Sequence, residues 1–431
     1  MPVPPQPQQE AQPEPHPEPQ PEWRPGPRPL PLHLATANLI LLTSLAAWPS
    51  AKHGLPPWNP AQNPLHDALR ASLANLPPEA FSTALVEEAA ARLSRFALGI
   101  GAYRDHPYRR DVAAEPAPLW QEGSTRLLDY APDSSRPVLL LAPSLVNRHY
   151  VLDLAPGQSL VRYLAQRGLR PLLLDWGAPG EAELAFDLTA YIARLGRALG
   201  VARQANGGRP LPLLGYCMGG NLALAAALRG QADVSALALL ATPWDFHAGG
   251  MHQAELVRHL APQLVPPLPQ PGAAPEPMAV DVLQGFFWAL DPLTALKKFT
   301  SFTSIAPDSA AAQRFVAMED WLNDGIPLAN AVARECLQGW YGANSPVRGE
   351  WLVGGQAVLP GLWRKPALVV LPERDKLVPK PGAEALFHAL PGAWRHDAPS
   401  GHIGMVVGPR AEAGLWQPLA EWLEGPGGLA P

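Results

Sequence analysis

One short run narrows what this chain can fold into more than any other feature: Pro212-Leu213-Leu214-Gly215-Tyr216-Cys217-Met218-Gly219-Gly220-Asn221-Leu222-Ala223. An apolar run, a glycine-flanked turn and a second apolar stretch of helical character follow one another around a single thiol. Gly215 and Gly219 stand two residues either side of Cys217, where side chains would collide across a tight strand-to-helix turn. Such a turn displays its central residue in a strained conformation at the end of a strand. The helix that follows points its positive end at the sulfur, which favours the thiolate and aims the Met218 backbone N–H toward a developing oxyanion. A free cysteine is most often a small buried core residue, but the completeness of the turn makes Cys217 a nucleophile.

A nucleophile in this setting needs a base and an orienting acid, which follow it along the chain in the order acid, then histidine. Pro372-Glu373-Arg374-Asp375-Lys376-Leu377-Val378-Pro379 comes directly after the apolar run 367–371, so Asp375 falls at the carboxyl end of a strand. Ser400-Gly401-His402-Ile403-Gly404 is a glycine-flanked loop free to aim an imidazole. Glu373 and Asp397 are the competing carboxylates, and His388 and His396 the competing imidazoles. His388 falls on an expected helix and His396 among polar residues, which suits solvated surface groups. Cys217, Asp375 and His402 are the expected catalytic set. The second oxyanion donor is expected from the loop after the first core strand, at the backbone N–H of Leu145 or Val146. Cys336 lies in a run of helical spacing without flanking glycines, and is expected to be packing.

From residue 136 onward, short apolar runs alternate with longer helical ones, as in a parallel sheet with crossover helices. The runs 138–141, 171–174, 211–214, 236–240 and 367–371 read as strands, and 159–166, 188–199, 221–228 and 382–389 as helices. The fold class is α/β, and with the thiol turn it resembles the α/β-hydrolase fold. About 243–363 reads as a lid inserted between strands, within a catalytic domain at 116–431. Residues 31–115 read as a helical N-terminal region, with Leu85, Ala89, Leu93 and Phe96 on one face and Glu87 and Glu88 on the other. Of the 54 prolines, 12 stand in the first 30 residues amid Gln and Glu, a composition that reads as a disordered tail at 1–30. A second proline-rich stretch, 266–277, reads as a surface loop of the lid.

The 431 residues are 47% hydrophobic and 16% charged, with a net charge of -5, which describes a folded protein and argues against a nucleic-acid partner. Two cysteines make no disulfide framework, which suits a reducing compartment. The run from Leu30 to Trp48 contains His33, Thr36, Asn38, Thr43 and Ser44, short of the ~20 clean apolar residues of a span. No membrane span and no secretory signal are expected, and the location expected is cytoplasmic. No metal site is expected: His252 and His259 have no third ligand at suitable spacing.

With these residues in hand, the chain from about Tyr103 to Gly408 resembles the polyhydroxyalkanoate (poly-3-hydroxybutyrate) synthases, the acyl-transferring cysteine branch of the α/β-hydrolases. The resemblance rests on ordered motifs: 123–130, the segment Pro143-Ser144-Leu145-Val146-Asn147-Arg148-His149-Tyr150-Val151-Leu152-Asp153-Leu154, Leu174-Asp175-Trp176-Gly177, Phe186-Asp187 with Tyr191, Thr242-Pro243-Trp244-Asp245-Phe246 and Met318-Glu319-Asp320-Trp321-Leu322-Asn323-Asp324. The last of these, with Trp340-Tyr341-Gly342-Ala343-Asn344, is similar to the shorter synthases that work with a partner subunit. The resemblance implies that Cys217 takes the acyl group of a 3-hydroxyacyl-coenzyme A as a thioester, coenzyme A leaving. His402, oriented by Asp375, would then activate the 3-hydroxyl that extends a polyester. Coenzyme A is the leaving group and no cofactor is implied; a homodimer or partner subunit and attachment to polymer granules stay open. Residues 1–60 match nothing in the family pattern. Two other readings stand beside this one: a cysteine-dependent thioesterase, esterase or depolymerase that passes the acyl group to water, and a non-catalytic granule-binding protein. Apolar lid residues Phe286, Phe287, Trp288, Phe299 and Phe302 favour the transferase by excluding water, unless they are ordinary lid packing.

Overall fold

The computed structural model describes residues 24–52, 64, 67–68, 71–72, 77–132, 134–248 and 276–428. At its centre is an eight-stranded sheet built from β1 (Pro118–Glu122), β2 (Thr125–Asp129), β3 (Val138–Ala142), β4 (Arg170–Asp175), β5 (Leu211–Tyr216), β6 (Val234–Leu240), β7 (Ala367–Pro372) and β8 (Trp394–Ala398). The spatial order is β1-β2-β4-β3-β5-β6-β7-β8; β1 with β2 and β2 with β4 are antiparallel, and every other pairing is parallel. The five apolar runs expected as strands are β3 to β7. Every residue of β3, β5 and β7 is buried, because helices cover both faces and the strands need not alternate. The three strands that the sequence reading passed over, β1, β2 and β8, lie at the two ends of the sheet. β8 has the pattern Trp-Arg-His-Asp-Ala with exposed residues at its start, and an edge strand packed on one face tolerates such polarity.

Two helices precede the sheet, α1 (Leu30–Lys52) and α2 (Pro78–Asp105). The crossover helices are α3 (Leu160–Gln166), α4 (Leu188–Ala205) and α5 (Met218–Arg229). Ser159 caps α3 by accepting from Arg162 N–H, and Asp187 caps α4 by accepting from Ala190 N–H at 2.8 Å. The helix expected from residue 221 begins at Met218 instead, so Asn221 lies inside it, fully buried, and donates through Nδ2 to Pro243 O at 2.8 Å.

Between β6 and β7 comes the insertion, with α6 (Val280–Leu290), α7 (Thr294–Phe302), α8 (Ala310–Asn323) and α9 (Asn330–Arg334), the last continuing as a wider helical turn through Gly342. After β7 comes α10 (Lys380–Ala389). Residues 249–275, with His252, His259 and nearly all of the proline-rich stretch, lie outside the described residues, as do residues 1–23.

Three cores divide the chain. Leu140, Leu172, Leu213, Leu237 and Val369 face one side of the sheet with α4 and α5, while Leu139, Leu141, Leu173, Leu214 and Val370 face the other with α3. The third core joins α2 to the insertion: Phe299 of α7 meets Phe96 and Tyr103 edge-on at 6.3 and 5.6 Å between ring centroids. A Cβ at Gly99 would stand 1.9 Å from the Phe299 carbonyl oxygen, so the two helices cross backbone to backbone.

One expectation about the N-terminus needs correction. Residues 24–29, assigned to a disordered tail, are packed: Arg24 is buried, with Nε and Nη2 at 2.5 and 2.9 Å from the two oxygens of Asp320, and it also donates to the carbonyls of His106 and Tyr108. Composition averages over a segment, whereas one planar guanidinium with its donors engaged can tie that segment down. The run from Leu30, where no span is expected, forms α1, 23 residues long; by length and composition alone it passes as a candidate span, with mean hydropathy 1.5 over Leu30–Ala47. Its polar side chains turn back on the helix: Thr36, Asn38, Thr43 and Ser44 each donate to the carbonyl four residues earlier, at 2.7 to 2.8 Å.

Candidate active site

Cys217 sits where β5 turns into α5, with φ 56° and ψ −129°. A non-glycine residue with positive φ is strained, and the surrounding structure holds it there. A Cβ on Gly215 would be 2.4 Å from Gly220 Cα, and one on Gly219 would be 2.2 Å from Ala142 O, so both glycines are required by backbone contacts. The Cys217 amide donates to Leu240 O at 2.8 Å, which locks the turn to β6. Met218 opens α5, so its N–H belongs to the unpaired first turn of that helix.

The acid and the imidazole come from the loops after β7 and β8, strands that pair in parallel from Leu368 with Trp394 to Pro372 with Ala398. Asp375 Oδ1 accepts the backbone N–H groups of Leu377 and Val378, both at 2.8 Å, and Oδ2 lies 2.6 Å from His402 Nδ1. With Nδ1 held by the carboxylate, Nε2 is the nitrogen left to serve Cys217, which borders the same cavity. The Tyr216 ring lies tilted beside the imidazole, 5.2 Å between centroids, and its hydroxyl donates to His402 O at 3.3 Å. Burial works to lower the His402 pKa, but the Cys217 thiolate and Asp375 carboxylate outweigh it and raise it to about 10. The imidazole is therefore disposed to keep its proton.

The competing groups are elsewhere. Asp397 is held down to about 2 chiefly by its hydrogen bond with Arg395, against burial, with help from Lys380, and His396 Nε2 lies 2.6 Å from Gly414 O. His388 packs against Phe387 at 5.3 Å. None of them, nor Glu373, lines the cavity onto which the cysteine opens. Cys336 does border that cavity, but it is buried and burial pushes its pKa well above the usual thiol value.

That cavity has a volume of about 600 Å³ and lies beneath the insertion. Cys217, Met218, Asp375 and His402 border it, with Phe286, Phe287, Trp288 and Tyr341 from the insertion. Phe299 and Phe302, expected with those aromatics, belong instead to the core shared with α2. One wall is supplied by Pro27, Arg28 and His33 of the N-terminal segment, a contribution invisible in the sequence because no pattern ties residue 28 to residue 217.

The loop after β3 carries the expected second oxyanion donor. Val146 N–H is already donated to Ser144 Oγ at 3.2 Å, which leaves Leu145 the better of the two candidates; its side chain is buried in the sheet core. The insertion clasps this loop. Ile326 N–H donates to Val146 O at 3.2 Å, Trp321 Nε1 to Arg148 O at 2.8 Å, and Tyr150 Oη to Asp324 Oδ2 at 2.9 Å, while Asn147 and Gly325 form a β-bridge. Two motifs that are far apart in the chain thus make one structure. Another such pair meets at Asn344, whose Oδ1 accepts from Phe246 N–H at 3.0 Å and whose Nδ2 donates to Asp245 at 2.8 Å.

His149, in the same loop, was not singled out from the sequence. It is buried, with Nε2 2.7 Å from Glu115 and Nδ1 2.9 Å from Asp175, and Arg126 lies 2.7 Å from Asp175. Burial opposes its charge, but Asp175 first and Glu115 second raise its pKa to about 9. Among the described residues no cluster of three His, Cys, Asp or Glu side chains is placed to hold a metal.

A family model described as alpha/beta hydrolase fold matches residues 137–277. The poly(3-hydroxyalkanoate) polymerase subunit PhaC of Haloferax mediterranei is 26% identical over 313 residues, covering 70% of this chain and 62% of that protein's own length. The proteins of that name from Haloarcula marismortui and Synechocystis sp. are each 29% identical, covering 72% and 71% of this chain and 68% and 83% of their own lengths. With the strand order, the nucleophile turn and the matching family model together, the chain has the α/β-hydrolase fold, and over about 70% of its length it is similar to poly(3-hydroxyalkanoate) polymerase subunits.

Proposed function

We propose that this protein is an acyltransferase that polymerises 3-hydroxyacyl groups from 3-hydroxyacyl-coenzyme A through a thioester on Cys217. The observation that carries the reading is that Cys217, His402 and Asp375 border one cavity under the insertion, with His402 held by Asp375 at 2.6 Å.

In the first step the Cys217 thiolate attacks the thioester carbon, and the oxyanion that forms is met by the Met218 N–H and the Leu145 N–H. Collapse expels the coenzyme A sulfur, which takes the proton from the His402 imidazolium. The acyl group is then a thioester on Cys217, an exchange of one thioester for another that is close to isoenergetic. In the second step neutral His402 accepts the proton of a 3-hydroxyl. That oxygen attacks the acyl carbon, an ester bond forms, and the Cys217 thiolate is released beside the renewed imidazolium. Asp375 holds the imidazole through both steps. Neither step calls on a cofactor. Phe286, Phe287 and Trp288 in the cavity wall favour an alcohol acceptor over water.

The test is to mix the full chain with 3-hydroxybutyryl-coenzyme A and follow coenzyme A release by chromatography alongside product size by mass spectrometry. Coenzyme A released together with oligoesters is the expected result. Free 3-hydroxybutyrate without oligomer would make water the acceptor and end the polymerase reading.

A further inference from the structure

The outer face of α1 has no role in the chemistry above. The helix is 23 residues long, about 35 Å at 1.5 Å per residue, and Leu30–Ala47 contains no Asp, Glu, Lys or Arg. One face packs on the molecule through Ala37 and Leu41, which are 1% and 8% exposed. The opposite face is open, with Leu39 and Leu42 63% and 62% exposed and Leu34 38% exposed. The neighbouring helix α2 shows what an outward face in this layer carries when it meets water: Glu88 pairs with Arg92 at 2.7 Å and with Arg95 at 3.3 Å. On α1 the outward face carries no ion pair, its polar side chains being only Asn38, Thr43 and Ser44. The Thr43 and Ser44 hydroxyls and one Asn38 N–H donate to α1's own carbonyls.

We infer that this face of α1 docks in the hydrocarbon of a lipid membrane surface, with the helix lying along the membrane and the protein touching it without crossing. Hydrocarbon offers no hydrogen-bond partner, so a helix face that enters it must engage its donors internally, as the Thr43 and Ser44 hydroxyls and one Asn38 N–H do. A polyester surface is the other apolar candidate, but it is studded with ester carbonyls that would accept from outward-turned hydroxyls and amides; the inward turn favours lipid. Crossing is excluded by the packed face, since Ala37 and Leu41 are held against the core that α2 shares with the insertion. With no charge along the stretch, adhesion rests on buried apolar area and not on headgroup charge. The inference stands on the exposure and bonding of α1 and is independent of which acyl acceptor the active site uses.

Flotation of the full chain with uncharged phosphatidylcholine vesicles tests it, at 0.15 and 0.5 M salt in parallel, with poly(3-hydroxybutyrate) particles as the second surface. The wild type is expected to float with the vesicles equally at both salt concentrations. The double variant Leu39→Gln, Leu42→Gln is expected to float at least tenfold less, and Leu352→Gln, at another exposed leucine, like the wild type. A wild type that stays at the bottom overturns the inference, as does a double variant that floats undiminished or a wild type that adheres to the polyester particles and not to vesicles. Thermal unfolding followed by circular dichroism checks the variants' fold. If the double variant fails that check, Leu42→Gln alone decides, with a severalfold loss expected and no loss overturning the inference.

Discussion

At Cys217 a strained backbone and an imidazole with a raised pKa act on one sulfur atom. Replacing it with Ala is expected to abolish coenzyme A release, by at least about 10³-fold, while Cys336→Ala keeps the rate within a few-fold; chromatography of released coenzyme A checks both. Loss in both variants alike would undo the division of labour between the two thiols. Asp375→Asn keeps an oxygen for the Leu377 and Val378 amides but removes the charge facing Nδ1, so a fall of about 10²–10⁴-fold is expected in the same assay. Because the folded-state pKa of His402 is raised to about 10, the imidazolium that protonates the leaving sulfur persists through neutral pH. The pH profile of kcat/KM should keep its alkaline limb near pH 10, and a limb near pH 7 would mean the imidazole is neutral in the resting protein. That these three residues lie at one cavity was legible in the sequence because each stands in a distinctive local context: glycines about a thiol, an acid after an apolar run, a histidine between glycines. His149 has no such context, since its partners Glu115 and Asp175 come from other parts of the chain.

Elements carry the next level of dependence. The crossing of α2 and α7 leaves no room for a methyl group at Gly99, where the atom it would meet is a backbone oxygen. Gly99→Ala should cost about 1–3 kcal/mol, read as a lowered midpoint of thermal unfolding. An unchanged midpoint would show that the crossing gives way without cost. Helices α3, α4 and α5 and strands β3 to β7 could be read from the chain because a parallel sheet covered on both faces demands unbroken apolar strands. The edge strands β1, β2 and β8 could not, because at an edge the pattern weakens where packing on one side ceases. Asn221 was placed at a helix start on the same evidence, and the helix begins one turn earlier, at Met218, because the turn itself supplies the first helical residue.

At the scale of the whole molecule, the loop after β3 is held from two sides, by the insertion at Trp321, Asp324 and Ile326 and by the buried charges around His149. The folded-state pKa of His149 is raised from 6.5 to about 9, so its contribution to stability is complete below about pH 6.5 and is lost as pH rises through 9. With full linkage the contribution is on the order of 3 kcal/mol. The stability gap between wild type and His149→Gln, measured by urea unfolding at pH 6, 7.5 and 9, should shrink along that series. A gap that does not change with pH would mean that His149 is not charged in the folded protein.

By itself, the sequence determined the α/β alternation and the strand-turn-helix corner around Cys217, since each follows from sterics and periodicity within a few residues, and it offered Asp375 and His402 as the candidate acid and imidazole. Only the tertiary structure decided that Arg24 ties the N-terminal segment into the wall of the catalytic cavity, that the insertion grips the loop after β3, and that α1 keeps an apolar face outward. These are long-range matters: which carboxylate meets which guanidinium, and which helix face finds a partner, depend on how the chain closes on itself and leave no local pattern behind.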